Sequence, residues 1–142
     1  MFRKRFFASW IFASIGMFML SYLWHSVILS DFSILIYPIR LFMLIAAFVY
    51  LFLGYCVAKS FSIPFLATKY KRKPFSRGIA GGAICGLSFY IISTVLGISF
   101  TTTITVKHLL YDSLWQVIEQ GIGGVIVAIT HIFIYEPETV QD

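Results

Sequence analysis

Four long apolar segments are the feature of this sequence that most limits how it can fold. They cover residues 6–29, 36–58, 78–98 and 109–135. Each has the roughly 20 residues that an α-helix needs to cross the hydrocarbon core of a bilayer. Since lipid offers no hydrogen bonds, the backbone N–H and C=O groups of each segment have to form hydrogen bonds with one another, as they do in a helix. The sequence therefore predicts an all-α polytopic membrane protein: one membrane domain, residues 1–142, built as a bundle of four transmembrane helices.

The composition excludes an ordinary soluble domain. Hydrophobic residues make up 59% of the 142 residues and charged residues only 12%, whereas soluble domains carry roughly 25% charged residues. A chain this short has too much surface to hide so much apolar material from water. Membrane lipids are therefore the first expected partner. The net charge of +5 comes from short basic stretches beside apolar segments, so we expect no nucleic-acid binding.

Lys and Arg are distributed unequally between the two sides of the predicted bundle. Nine of the 11 precede the first segment or lie in the loop of residues 59–77. The remaining two, Arg40 and Lys107, fall on the other side. Because positively charged loops stay in the cytoplasm, we expect both termini and the basic 59–77 loop to be cytoplasmic, in the plasma (inner) membrane.

The fourth segment carries its polar residues on one side. At about 100° per residue, a sector roughly 80° wide holds His108, Asp112, Gln116, Glu119, Gly123 and Thr130, with Gln120 beside it. Glu119 lies about ten residues into the segment, which at ~1.5 Å per residue is near the bilayer midplane. A charge at that depth is costly, so the stripe is expected to face other helices or a cavity.

Arg40 is the cation expected to join this stripe, since its depth matches that of Asp112 and leaves Glu119 within reach. The sequence thus predicts a polar intramembrane network of Arg40, Asp112, Gln116, Glu119 and Gln120. Two interpretations stay open. The network either holds the bundle together through hydrogen bonds, or it forms a pathway for a proton, an ion or a small ligand.

Two histidines and an aspartate near the predicted outer surface form a possible metal or haem site. They are His25, Asp31 and His108. Imidazole and carboxylate groups bind zinc or copper, and a pair of histidines can hold haem axially. Each residue comes from a different part of the chain, so the alternative is an interfacial histidine beside Trp24 in an aromatic belt. The identity of any cofactor is left open.

Glycines in the third and fourth segments predict close helix packing. Gly78, Gly82 and Gly86 recur at intervals of four, and Gly121 and Gly124 offer a similar surface on the fourth segment. Small residues at this spacing let helix backbones approach one another. The two segments can pack together within the chain, or the stripe can join copies into a homo-oligomer or dock onto a larger membrane complex.

Two short runs suggest an internal duplication. Leu20-Ser21-Tyr22 in the first segment is similar to Leu87-Ser88-Phe89 in the third. Each run lies in the segment that opens a predicted helical hairpin. The pattern fits two duplicated hairpins, an arrangement known from transporter folds; the alternative is a chance similarity between two apolar helices.

The plan of four helices, together with two short motifs, also suggests a relationship. Leu23-Trp24 and the D-x-x-W run Asp112-Ser113-Leu114-Trp115 resemble small uncharacterised bacterial four-helix membrane protein families. The resemblance covers most of the chain in hydropathy and a few positions in motif. It implies a four-helix bundle and no assigned chemistry.

These patterns lead to three hypotheses about function. The sequence contains no H-E-x-x-H, G-x-S-x-G or Walker-type motif, so an enzyme is the less favoured class. If the protein is an enzyme, Glu119 or Asp112 is the candidate for its acid–base residue. The first hypothesis is a small non-enzymatic binding or assembly subunit. The second is a transporter or channel-like protein that moves a proton, ion or small molecule along Glu119, Asp112 and Arg40. The third is a metal- or haem-binding membrane protein.

Overall fold

The computed structural model describes residues 4–28, 38–98 and 106–134, and all the regular structure in these ranges is helical. Helix α1 (Lys4–Tyr22) continues as a π-helical segment (Leu23–Ile28). The others are α2 (Ile39–Ser60), α3 (Pro64–Lys69), α4 (Pro74–Ile98) and α5 (Val106–Phe133). Four of these helices are long and apolar enough to cross a membrane. The prediction of an all-α fold with four candidate spans is confirmed.

The helices differ from the predicted segments mainly at their ends. Helix α4 begins at Pro74 rather than at residue 78, and the 59–77 loop contains the short helix α3, which begins at Pro64. Proline is well suited to the first turn of a helix because its missing N–H would have no partner there. Both prolines therefore open helices. Helix α2 begins directly after Pro38, while the π-helical segment was not predicted.

The four long helices form an up-and-down bundle in the cyclic order α1, α2, α4, α5. Helices α1 and α2 run antiparallel: the rings of Phe6 and Tyr55 lie 5.6 Å apart near one end, and those of Phe18 and Tyr50 lie 5.8 Å apart further along. Helix α4 packs on α2 and on α5, and α5 returns to α1. The chain thus consists of two antiparallel hairpins, α1–α2 and α4–α5, which pack side by side.

Helices α4 and α5 approach each other backbone to backbone. A Cβ atom on any of the three glycines of the α4 stripe would collide with a main-chain carbonyl of α5. These contacts pair Gly78 with Gly124, Gly82 with Gln120 and Gly86 with Gln116. Gly121 is adjacent to Gly82, but a Cβ on Gly121 itself would meet nothing within 4 Å. The glycine stripe is therefore occupied within the chain rather than presented to a second copy.

Both ends of the described chain lie at the same end of the bundle. The Arg5 Nε donates a hydrogen bond of 2.8 Å to the carbonyl oxygen of Ile134. Nearby, the Arg77 guanidinium lies 4.3 Å from the centre of the Phe61 ring, which in turn contacts His131 with the ring centres 4.5 Å apart. We call this the terminal end of the bundle and the opposite end the distal end.

The outer surface of the bundle is strongly apolar. Large hydrophobic side chains are exposed around its circumference, with Phe48 65% and Leu110 68% accessible. Soluble monomers rarely present continuous apolar surfaces of this kind to water. Together with the length of the four helices, this surface fits a protein surrounded by lipid.

Candidate functional site

Glu119 is the central polar residue of the bundle. Its side chain is completely buried, with 0% exposure. Neither carboxyl oxygen has a hydrogen-bond partner among the residues that the structure describes. The Tyr50 hydroxyl and the Trp115 indole face the carboxyl, but they do so without ordinary hydrogen-bond geometry. Leaving a buried polar group unpaired costs about 1–3 kcal/mol, and more when the group is charged.

The two glutamines of the predicted network are joined to each other. Gln120 is fully buried, and its Nε2 donates a hydrogen bond of 3.2 Å to Oε1 of Gln116, one turn away. Oε1 of Gln120 has no partner within the described residues. These side chains add a second incompletely satisfied polar group to the centre of the bundle, beside Glu119 on the same helix.

A cavity of about 580 Å³ lies between the helices in the distal half of the bundle. We call it the distal cavity. Its polar lining comes from α1, α4 and α5 and consists of His25, Tyr90, Ser93, Asp112, Trp115 and Gln116. Trp115 and Gln116 place its inner end one turn of α5 from Glu119. The volume lies within the range of about 300–1,000 Å³ that small-molecule sites occupy.

Trp115, which lines the distal cavity and faces Glu119, stacks on a second indole ring. The rings of Trp24 and Trp115 lie 4.0 Å apart and are inclined by 10°. Trp24 and its neighbour His25 both belong to the π-helical segment that ends α1. A π-helical turn changes the direction in which side chains leave a helix, and such turns are frequent at functional sites. Here the segment brings one ring onto Trp115 and an imidazole into the cavity lining.

The structure brings together part of the predicted network and leaves Arg40 apart from it. Asp112 is exposed but lines the distal cavity, Gln116 is half-buried and Glu119 is buried. Arg40 lies in the first turn of α2 with an exposed side chain. Within residues 4–28, 38–98 and 106–134 no ion pair joins it to either carboxylate. The place of Arg40 in the network stays a prediction.

The proposed metal or haem ligands are only partly described. His25 lines the distal cavity. Asp31 lies outside the described residues, as does the side chain of His108. In the part of the chain that is described, no three His, Cys, Asp or Glu residues cluster as metal ligands would. The metal or haem site stays a prediction.

The bundle closes on the terminal side of Glu119. Met17 of α1 is fully buried and lies against Gly123, one turn of α5 from Glu119. Further along, Val127 and Ala128 have 0% exposure and Val57 has 1%. The polar stripe thus leads from a mouth at Asp112 to a closed inner end.

Tyr50 is the site residue that the sequence did not reveal. It faces Glu119 from α2, and its hydroxyl also lies near that of Ser21 on α1. Aromatic residues with a polar group usually mark the ends of membrane spans. Tyr50 lies in the middle of α2, eleven residues after its start at Ile39. That unusual depth is the signal that could have identified it.

The fold and the site together define a class: a four-helix membrane protein with a buried acid and an aromatic-lined cavity in one half of the bundle. Comparisons with known protein families, with curated proteins and with solved structures find no match. Its function therefore has to be argued from the site itself.

Proposed function

We propose that this protein is a non-enzymatic membrane binding protein whose ligand is a small organic cation. Glu119 is the anionic group that receives the charge, and the distal cavity holds the body of the ligand. One observation carries the proposal: a carboxyl group with 0% exposure and no hydrogen-bond partner among the described residues, one turn from a cavity of about 580 Å³. A cation that binds there supplies the partner that the fold leaves out.

The lining of the cavity supports a cation over an anion or a neutral polar molecule. Asp112 at the mouth carries an acidic group, Glu119 lies one turn of α5 beyond the inner end, and Arg40 is not among the described residues that line the cavity. The rings of Trp115 and Phe89 also line the cavity. Aromatic faces attract cations, and the attraction strengthens when water is excluded.

The closed terminal half of the bundle favours binding over conduction. Met17 packs on Gly123, and the core beyond them is fully buried. A channel needs a polar route through the whole bundle, whereas this site opens in one half. The positive-inside rule supports an orientation in which the termini are cytoplasmic and the cavity faces the outside of the plasma (inner) membrane.

Binding of benzyltrimethylammonium to the purified protein in a nonionic detergent tests the proposal. Quenching of tryptophan fluorescence, checked by calorimetry, reports the dissociation constant. We expect saturable binding that weakens at least tenfold in Glu119→Gln, because the amide keeps the shape but loses the charge. Asp112→Asn at the mouth should weaken it by less.

Ser88→Ala is the matched control. The Ser88 hydroxyl is on the exposed side of α4 and, among the described residues, donates its hydrogen bond to the carbonyl of Ile84, so this variant should bind like the wild type. Equal affinities in wild type and Glu119→Gln would refute the proposal, as would the absence of saturable binding.

A transporter is the second candidate, because the polar residues of α5 form a graded line. Asp112 is exposed, Gln116 is half-buried and Glu119 is buried. Such a line suits a protein that exchanges a proton for a cation when the bundle reopens on its other side. Flux of the same cation into proteoliposomes tests this hypothesis. If the protein is a transporter, the wild type should carry the cation into the vesicles and Glu119→Gln should abolish this flux. If the wild type binds the cation but gives no flux, the transporter hypothesis is refuted and the binding-protein hypothesis is kept.

A further inference from the structure

A second cavity adjoins the distal cavity on the lipid-facing side of the bundle. It is a groove of about 470 Å³ between α1 and α2. His25 and Val49 line both cavities. Tyr50 lines the groove and faces Glu119, just as Trp115 lines the distal cavity and faces the same carboxyl. Glu119 lines neither space and is fully buried, so its carboxyl lies behind Tyr50 on the groove side and behind Trp115 on the cavity side.

The groove is chemically unlike the distal cavity. Its walls are almost entirely apolar, with Phe18, Phe42, Met43, Ile45 and Ala46 among the lining residues. Along α2 it extends from Phe42 to Tyr50, which at 1.5 Å per residue is about 12 Å. Ile45, at its edge, is 53% exposed on the surface that meets lipid. The groove therefore opens sideways into the hydrocarbon region.

An apolar groove beside a cavity that Asp112 and aromatic rings line matches one kind of molecule. We infer that the ligand is a single-chain cationic amphiphile, whose charged head lies at the inner end of the distal cavity, one turn of α5 from Glu119, and whose hydrocarbon chain lies in the groove between α1 and α2. The inference rests on the proposed function and specifies its substrate class. The length of the groove suits a chain of roughly 12 Å. Such a ligand reaches the site from the bilayer, in which it is already dissolved.

Photo-crosslinking locates the chain directly. The probe is decyltrimethylammonium with a diazirine in the middle of its chain, used with the protein in lipid nanodiscs. Mass spectrometry of the digested protein identifies the labelled residues. We expect labelling concentrated on residues 42–50 of α2, suppressed by an excess of unlabelled decyltrimethylammonium and reduced at least tenfold in Glu119→Gln. Labelling spread over all lipid-facing helices, with no effect of the competitor, would overturn the inference.

A substitution that fills the groove tests the binding of the hydrocarbon chain independently of the binding of the charged head. Ala46 is half-buried in the groove wall, so Ala46→Trp should abolish the labelling of residues 42–50 while benzyltrimethylammonium still binds with wild-type affinity. Ala46→Phe is the milder replacement if the tryptophan variant does not fold, and it should reduce the labelling severalfold.

The two proposals fail in distinguishable ways. If benzyltrimethylammonium binds but the filled groove leaves the labelling unchanged, the head-group site stands and the chain site is refuted. If benzyltrimethylammonium fails to bind to the wild type, both are refuted.

Discussion

The described neighbours of Glu119 hold its side chain in place but do not form hydrogen bonds with its carboxyl oxygens. Tyr50 and Trp115 face its carboxyl from α2 and from the preceding turn of α5, yet both oxygens lack hydrogen bonds to the described residues. A purely structural polar network would have its donors and acceptors matched, because each unmatched buried group reduces stability. The unmatched carboxyl is the reason why we propose a ligand rather than a purely structural network.

Replacing the carboxyl with a hydrocarbon of similar size should stabilise the protein. We expect Glu119→Leu to raise the free energy of unfolding by about 1–3 kcal/mol, because the cost of burying an unpaired polar group disappears. Thermal denaturation in detergent, followed by circular dichroism, measures the change. The same variant should lose cation binding, so stability and function would move in opposite directions.

Asp112→Leu is the control for this prediction. Asp112 has a carboxyl group on the same helix but is exposed, and substitutions at exposed positions usually change stability by less than about 0.5 kcal/mol. A lower melting temperature in Glu119→Leu than in the wild type would contradict the prediction, since it would mean that the carboxyl contributes favourable interactions to the fold.

At the scale of elements, the α4–α5 hairpin depends on glycine at particular positions. In the chain as it stands, a methyl group on Gly82 would collide with the Gln120 carbonyl, while one on Gly121 would enter empty space. Both glycines lie inside helices, where alanine is intrinsically better by about 1 kcal/mol. Alanine substitutions at these two positions therefore distinguish the effect of helix propensity on stability from the effect of helix packing.

Gly82→Ala and Gly121→Ala should change stability in opposite directions. Overpacking of a close contact costs about 1–3 kcal/mol, so Gly82→Ala should lower the melting temperature. Gly121→Ala should leave it unchanged or raise it. Differential scanning fluorimetry of the two variants in the same detergent makes the comparison. Equal shifts would show that the contact between the helices does not limit their approach.

The sequence predicts the helices of this protein better than it predicts which residues of different helices contact one another. Apolar length alone located the four spans, and helical periodicity placed Glu119 on an inward face, because both signals are local. Tyr50 could not be paired with Glu119, since that contact depends on how α2 is rotated in the bundle. Arg40 was assigned by charge and depth, but it lies in the first turn of α2 with its side chain exposed. The π-helical segment changes the direction of Trp24 and His25 without a compositional signal.

At the scale of the whole molecule, the bundle has two chemically different ends. The terminal end combines Arg5, Arg77 and the basic residues around α3, and the distal end contains the mouth of the cavity. The positive-inside rule predicts that the terminal end is cytoplasmic, and this orientation stays a prediction. The homo-oligomer or larger complex stays a prediction, and it has to use a surface other than the glycine stripe, which α5 covers.

Labelling of single cysteines tests the orientation. Cys56 and Cys85 are free thiols and are first replaced by alanine. Lys71→Cys and Lys107→Cys then place one exposed thiol at each end of the bundle. In intact cells, a membrane-impermeant maleimide should label Lys107→Cys at once, and Lys71→Cys only after the membrane is permeabilised. The reverse pattern would invert the assigned orientation.

The position of α5 in the chain has a consequence for how the protein is made. Of the four candidate spans, α5 has the lowest mean hydropathy, and it is synthesised last. When it leaves the ribosome, α1 and α2 are already available to receive its polar stripe, and the glycines of α4 can accept its backbone. A helix that lipid alone receives poorly thus enters a membrane that already holds its three partners. The order of the helices therefore assists the insertion of the one that bears Glu119.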